Sequence, residues 1–128
     1  MAIHKILIVD DSPTERYYLT EILVKHGFSV STADNGEDAL IKMRADRPEL
    51  ILMDVVMPGA NGFQVTRSIA RDPELAAVPV IICSSKNQET DRIWGMRQGA
   101  RDYFVKPVDP AQLLARIAAL DALDTVDA

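Results

Sequence analysis

The sequence predicts an α/β domain of the doubly wound class. Three observations carry that prediction. Short, near-continuous apolar runs recur along the chain. Segments with helical periodicity and recognisable caps fill the gaps between them. The 128 residues suffice for one such domain and are too few for two. Strands alternating with helices imply a parallel sheet with right-handed crossovers, a (βα)5 arrangement.

Residues 6–9, 50–53 and 80–83 are apolar throughout, as expected of strands covered by helices on both faces. Residues 28–33 and 102–105 are more mixed and suit edge strands. The first helix opens with Ser12, Pro13, Thr14 and Glu15, a capping box with proline at the first helical position. Its stripe is Tyr18, Leu19, Ile22 and Leu23, and Gly27 follows as a C-terminal cap. Asn35 and Gly36 open a second helix through Ala39, Leu40 and Met43, with Pro48 beyond its end. A third spans 62–71 and stops before Asp72-Pro73. A fourth spans 87–98, capped by Gly99. A fifth starts at Asp109-Pro110 and carries Leu113, Leu114, Ile117 and Leu120. The domain is expected over 1–122, with a frayed tail at 123–128.

Composition narrows the function. Apolar residues make up 48% of the chain and aromatics only 5%, so the core must be aliphatic. The formal charge of −5 argues against nucleic-acid binding, which needs basic surface. Cys83 is the only cysteine, which excludes an internal disulfide and suits a cytoplasmic setting; between apolar neighbours it reads as a small hydrophobe. No signal-peptide core is present, and no apolar run approaches the roughly 20 residues of a membrane span. His4 and His26 have no ligand-like neighbours in sequence.

Open parallel sheets bind ligands at the carboxyl ends of their strands, where strand order reverses. In the flavodoxin-like order 2-1-3-4-5, that point lies between strands 1 and 3. Strand 1 runs into Asp10 and Asp11, strand 3 into Asp54, strand 4 into Ser84, and strand 5 into Lys106 and Pro107. Three carboxylates and one ammonium sum to about −2, which calls for a hard divalent cation. With few protein ligands on offer, Mg²⁺ keeping several waters fits better than a Ca²⁺ cage. A cation and Lys106 together suit a phosphoryl group in transfer. Asp10 and Asp11 are adjacent and read as metal holders. Asp54 stands alone and reads as the nucleophile, with one oxygen free to ligate the ion.

These residues resemble the bacterial response-regulator receiver domain over about 3–121: Val9-Asp10-Asp11, Met53-Asp54, Met57-Pro58-Gly59, Asn61-Gly62, Ser84 and Lys106-Pro107. The resemblance implies that Asp54 is phosphorylated from a phosphohistidine on a sensor histidine kinase. It implies Mg²⁺ ligation by Asp11 and Asp54, with Asp10 nearby or acting through water, and the Val56 carbonyl as a further ligand. Ser84 and Lys106 would contact the phosphoryl group, the Lys106-Pro107 peptide would be cis, and Tyr103 would be the aromatic switch. Output would pass through the fourth helix, fifth strand and fifth helix, with Trp94 and Tyr103 on the partner face. The protein would count as a signalling protein, not an enzyme, although it catalyses its own phosphorylation and dephosphorylation. Val56 and Lys86 fall at positions that tune phosphoryl lifetime.

The chain ends with the receiver, so output is expected through a bound downstream motility or signalling protein, as in stand-alone chemotaxis-type regulators. Within those, the segments 11–15, 88–95 and 97–103 resemble the regulators of type IV pilus twitching motility. A monomer or weak homodimer is expected. A phosphate sink or an intermediate phosphotransfer protein is the alternative within this reading.

Blander readings exist for each residue. Asp10 and Asp11 could cap the first helix, Ser84 could be a turn hydroxyl, Lys106 a surface lysine and Tyr103 an edge-strand aromatic. Their coincidence at strand ends favours chemistry. With Ile93 and Met96 toward the core, Trp94 would point sideways, either as a partner anchor or as cover for a groove beside the third helix. A haloacid-dehalogenase-type phosphohydrolase would need two aspartates separated by one residue after strand 1. A nucleotide or flavin binder would need glycines in that loop, which reads Asp-Asp-Ser-Pro. A phosphorylation-independent module would have lost site residues that are all present here.

Overall fold

The computed structural model describes residues 3–127, the last five as backbone only. The order is β1 (Lys5–Val9), α1 (Pro13–Lys25), β2 (Ser29–Ala33), α2 (Gly36–Ala45), β3 (Leu50–Met53), α3 (Gly62–Arg71), β4 (Val80–Ser84), α4 (Glu89–Arg97), β5 (Asp102–Val105) and α5 (Pro110–Asp127). All pairings are parallel and the sheet order is β2-β1-β3-β4-β5. The predicted class and strand order are therefore those observed. The tail at 123–128, expected to fray, has no described side chains, although the α5 backbone is helical through Asp127.

Alternation along the strands divides the interior in two. Leu7, Val9, Ile51, Met53 and Val80 face Ala39 and Met43 of α2 and Val65 and Ile69 of α3. Ile6, Ile8, Leu50, Leu52, Ile81 and Cys83 face Leu19 and Leu23 of α1 and Leu113, Ile117 and Leu120 of α5. Every residue of β3 and β4 is buried, which explains why these strands read as unbroken apolar runs. Burial pushes the Cys83 thiol far above its ordinary range, so it packs as a hydrophobe. Among the described residues, no helix is long and apolar enough to cross a membrane.

Local signals mostly act as expected. Gly27 and Gly99 follow their helices at φ +90° and +111°. Asn35 caps α2 by accepting from the Asp38 N–H, and Asn61 and Gln64 form a complete capping box on α3.

Four details differ. At α1 only half the box forms: Ser12 Oγ accepts from the Glu15 N–H at 3.2 Å, but the Ser12 N–H goes to Asp10 Oδ1 at 2.9 Å. The helix cap is thereby joined to the carboxylate loop. β2 starts at Ser29, leaving Phe28 outside the ladder and packed against the α1/α5 core. β4 reaches Ser84, so that hydroxyl ends a strand instead of sitting in a turn.

The fourth difference concerns α4, which is shorter than its predicted span. Ile93 and Met96 do not face the core; both are exposed, and Gly95 is the buried residue of the helix. A Cβ on Gly95 would lie 2.8 Å from Ile82 Cδ1, 3.1 Å from Tyr103 Cδ2 and 3.3 Å from Phe63 Cε1. The sheet side of α4 is already filled from below, so any side chain at 95 would have to displace one of these neighbours.

Candidate functional site

The backbone sets the carboxylates side by side. Beyond the ends of the strands, the Asp10 N–H donates to the Ala33 carbonyl (3.0 Å) and the Asp54 N–H to the Val9 carbonyl (2.8 Å). Both aspartates thus extend the sheet ladder by one step. Arg16, one turn into α1, donates from Nη1 to the Asp10 carbonyl at 2.7 Å. On the other flank Gly62 donates its N–H to the Val55 carbonyl at 2.9 Å. A Cβ on Gly62 would fall 1.9 Å from the Asp54 carbonyl oxygen, so α3 can start this close only with glycine. The fourth corner is Lys106, whose N–H donates to the Ser84 carbonyl at 2.8 Å. The Lys106–Pro107 peptide is cis. Tyr18 of α1 donates its hydroxyl to the Val108 carbonyl at 2.8 Å and pins the loop that follows.

The side chains converge. Carboxylate oxygens of Asp10, Asp11 and Asp54 lie within 4.8 Å of one another. Lys106 Nζ donates to Asp10 Oδ2 at 2.8 Å and to Asp54 Oδ1 at 3.2 Å. Asp10 and Asp54 are only 2% and 6% exposed, whereas Asp11 faces solvent. Burial raises the Asp54 carboxyl above its ordinary value and the Asp10 charge raises it further, with Lys106 opposing. Burial alone would lower the Lys106 ammonium, but its hydrogen bond to Asp10 and the charges of Asp10 and Asp54 outweigh that and raise it.

The adjacent pair is not equivalent. Asp10 uses one oxygen on the Ser12 N–H and the other on Lys106, while Asp11 remains open. One ammonium pairs with two of the three carboxylates, and all the ligand atoms they offer are hard oxygens. The set fits a divalent cation of the Mg²⁺ or Ca²⁺ kind and has no nitrogen or sulfur ligand for a softer one.

Beside it lies a second group. Ser84 is fully buried, and its Oγ accepts from the Lys86 N–H at 3.1 Å. The Tyr103 hydroxyl donates to the Lys86 carbonyl at 2.8 Å. Burial raises the Tyr103 phenol above its ordinary value, and the nearby Ser84 hydroxyl opposes that rise. Lys86 therefore links Ser84 to Tyr103 through its backbone. Tyr103 does not stand on the partner face as expected: it is 3% exposed and packs with Val55, Phe63, Ile82 and Ala100. Trp94 is on the surface at 48% exposure, accompanied by Ile93, Met96 and Val105 of the adjacent β5. Val56, beside Asp54, also has an exposed side chain.

Sequence reasoning missed Arg16, Tyr18 and Gly95. Gly95 was legible only as a glycine inside a helical pattern. The two others act through backbone carbonyls, Arg16 on Asp10 six residues earlier and Tyr18 on the distant Val108, for which residue type gives no signal.

The response regulator receiver domain model matches residues 6–118. Protein PilH of Pseudomonas aeruginosa is 57% identical over 116 residues, covering 91% of this chain and 96% of that protein. Among solved structures, the Vibrio cholerae chemotaxis protein CheY4 superposes with a TM-score of 0.85 at 30% identity, covering 92% of this chain and 98% of that one. A CheX-CheY-BeF3-Mg²⁺ complex from Borrelia burgdorferi contains a chain with a TM-score of 0.84 at 30% identity, covering 91% and 88%.

Proposed function

The chain belongs to the response-regulator receiver family of two-component signalling, and from that premise we propose that Asp54 accepts a phosphoryl group from a phosphohistidine of a sensor histidine kinase. The observation that carries this reading is Lys106 Nζ held between Asp10 and Asp54, with Asp11 open to solvent beside them.

An Asp54 oxygen forms a bond to phosphorus as the N–P bond of the phosphohistidine breaks, and the departing imidazole keeps the electron pair. Lys106 is already within hydrogen-bond reach of Asp54 and pairs with a phosphoryl oxygen there. Ser84 turns its hydroxyl from the Lys86 N–H toward another. Asp11 and Asp54, with the Val56 carbonyl and with Asp10 close by or through water, would hold Mg²⁺. Bound there, the ion supplies positive charge that offsets charge developing on the transferred group. The Mg²⁺ in the Borrelia burgdorferi relative's complex supports this choice.

The signal then passes along Ser84, the Lys86 backbone and Tyr103 to α4. The exposed Trp94, with Ile93, Met96 and Val105, supplies an apolar surface for a downstream protein. The high identity to PilH supports a role in twitching motility, in the cytoplasm; the chain acts as a monomer or weak homodimer. The protein modifies itself and turns over no separate substrate.

The test is incubation with Mg²⁺ and acetyl phosphate, followed by intact-mass analysis. One acid-stable, base-labile phosphoryl adduct is expected, absent in EDTA and in Asp54→Asn. An adduct of equal yield in Asp54→Asn would sink the assignment.

A further inference from the structure

The C-terminal turns of α3 and α4 meet at the opposite end of the sheet, where the Arg101 N–H bonds the Val80 carbonyl at the start of β4. Between them lies a cleft of about 340 Å³, lined by Arg67, Ala70, Arg71, Arg97, Gln98 and Gly99. Arg67 and Arg71 are one turn apart on α3 and share a face, and Arg97 comes from α4. The helix ends approach closely because small residues face each other: a Cβ on Gly99 would lie 3.0 Å from the Ala70 Cβ.

None of the three arginines has an ion-pair partner among the described residues, although the chain carries 19 acidic residues against 14 basic ones. The nearby acids are engaged elsewhere. Asp72 pairs with Arg44 at 3.1 Å and accepts from the Glu74 N–H at 2.9 Å. Asp102 pairs with Arg116 at 3.1 Å and Arg92 at 3.7 Å. Complementing the helix dipoles accounts for Arg71 and Arg97 singly. It does not account for Arg67, which lies a full turn earlier, nor for the convergence of all three on one cleft.

We propose that this cleft binds a compact polyanion of the pyrophosphate type, free or carried as the diphosphate of a nucleotide. Guanidinium forks match phosphate oxygens two at a time. The volume lies within the range of small-ligand sites. No aromatic ring is present in the wall to stack a base, so the phosphates carry recognition. No apolar pocket is present to anchor a peptide, and three cations are few for a duplex. A diphosphate spanning Arg67, Arg71 and Arg97 ties α3 to α4, the helix that carries Trp94.

The test uses the whole ¹⁵N-labelled chain in EDTA, which leaves the carboxylates no cation with which to recruit phosphate. Sodium pyrophosphate is titrated at constant ionic strength. Saturable shifts are expected in the amides of 67–71 and 97–99. Arg71→Ala and Arg67→Ala each weaken binding by at least about tenfold, while Lys25→Ala, at the exposed end of α1 on the other face of the sheet, stays within about twofold, and sulfate binds at least about tenfold more weakly than pyrophosphate. ADP binding more tightly than pyrophosphate assigns a nucleotide source; ADP binding equally or more weakly assigns the diphosphate itself. Shifts that do not saturate, equal affinity for sulfate, or affinity unchanged by Arg67→Ala and Arg71→Ala overturns the proposal.

Discussion

Around Asp54 the chain ends its strands in charge; around Tyr103 it closes a corner by leaving a side chain out. The two regions share β4, and Lys86 touches Ser84 through its N–H and Tyr103 through its carbonyl. Their construction differs. The carboxylate site holds buried like charges that only one ammonium offsets. The corner is satisfied and close-packed: Phe63, Ile82 and Tyr103 fill the space under Gly95. A site poised for a ligand stores unfavourable electrostatics, whereas the corner beside it stores tight packing.

The largest expected effect tests the first half of that contrast. Lys106→Met leaves Asp10 and Asp54 buried without their cation. Urea unfolding in EDTA should show a loss of about 2–4 kcal/mol, a little below the about 3–5 kcal/mol for stripping one partner from a fully buried pair, because the Lys106 side chain is 18% exposed. Millimolar Mg²⁺ should restore much of it, because the ion supplies the missing charge. A loss in EDTA below about 0.5 kcal/mol would mean that the ammonium does not compensate these carboxylates.

The second test addresses the corner. Gly95→Ala gains about 1 kcal/mol of helix propensity but forces a methyl to within 2.8 Å of Ile82 Cδ1 and 3.1 Å of Tyr103 Cδ2. Overpacking of this kind costs about 1–3 kcal/mol, so a net loss of about 1 kcal/mol is expected. The Tyr103 ring resonances should move with it, while phosphoryl uptake at Asp54 stays near wild type. A stabilised Gly95→Ala protein with unmoved Tyr103 signals would show that the corner has slack. Tyr103→Phe separates ring from hydroxyl: it removes the bond to the Lys86 carbonyl, at about 0.5–1.5 kcal/mol, and keeps the packing.

The same contrast explains what could be read from the sequence. Asp10, Asp54 and Ser84 were legible because each follows an apolar run that reads as a buried strand, Lys106 because it follows the mixed edge strand at 102–105, and the fold rule says where strand ends converge. The sheet order was not legible in the runs themselves; it came from the flavodoxin-like arrangement that alternating strands and helices suggest. Half of the Ser12 cap was misread because Asp10, two residues earlier, competes successfully for the Ser12 N–H. The corner was not legible. In α4 the apolar residues Ile93, Trp94 and Met96 mark the solvent side, and the buried residue carries no side chain, so hydrophobic periodicity points the wrong way. Tyr103 was placed on the partner face by the family resemblance alone, yet its ring is buried with Val55, Phe63 and Ile82, beside Gly95 of α4. Packing around a missing side chain leaves almost no trace in residue type.

The smallest predicted effect concerns the proposed phosphoacceptor, Asp54, and carries a sign that distinguishes a poised site from a merely polar one. Burial and the Asp10 charge hold the Asp54 carboxyl above its ordinary value of 3.8. The folded chain therefore binds that proton more tightly than the unfolded chain, and ionising it weakens the fold. The penalty is absent when both states are protonated, well below pH 3.8, grows as pH rises through the interval between the unfolded and folded values, and is complete above it. Asn carries no such penalty. In EDTA, Asp54→Asn should therefore be more stable than wild type at pH 7, with the advantage fading in acid. Millimolar Mg²⁺ should reverse the order, because the wild-type chain gains a ligand that the variant holds less well. Equal stability across the whole pH range, with and without Mg²⁺, would place Asp54 in a relaxed environment and remove the electrostatic strain on which the contrast between the two regions rests.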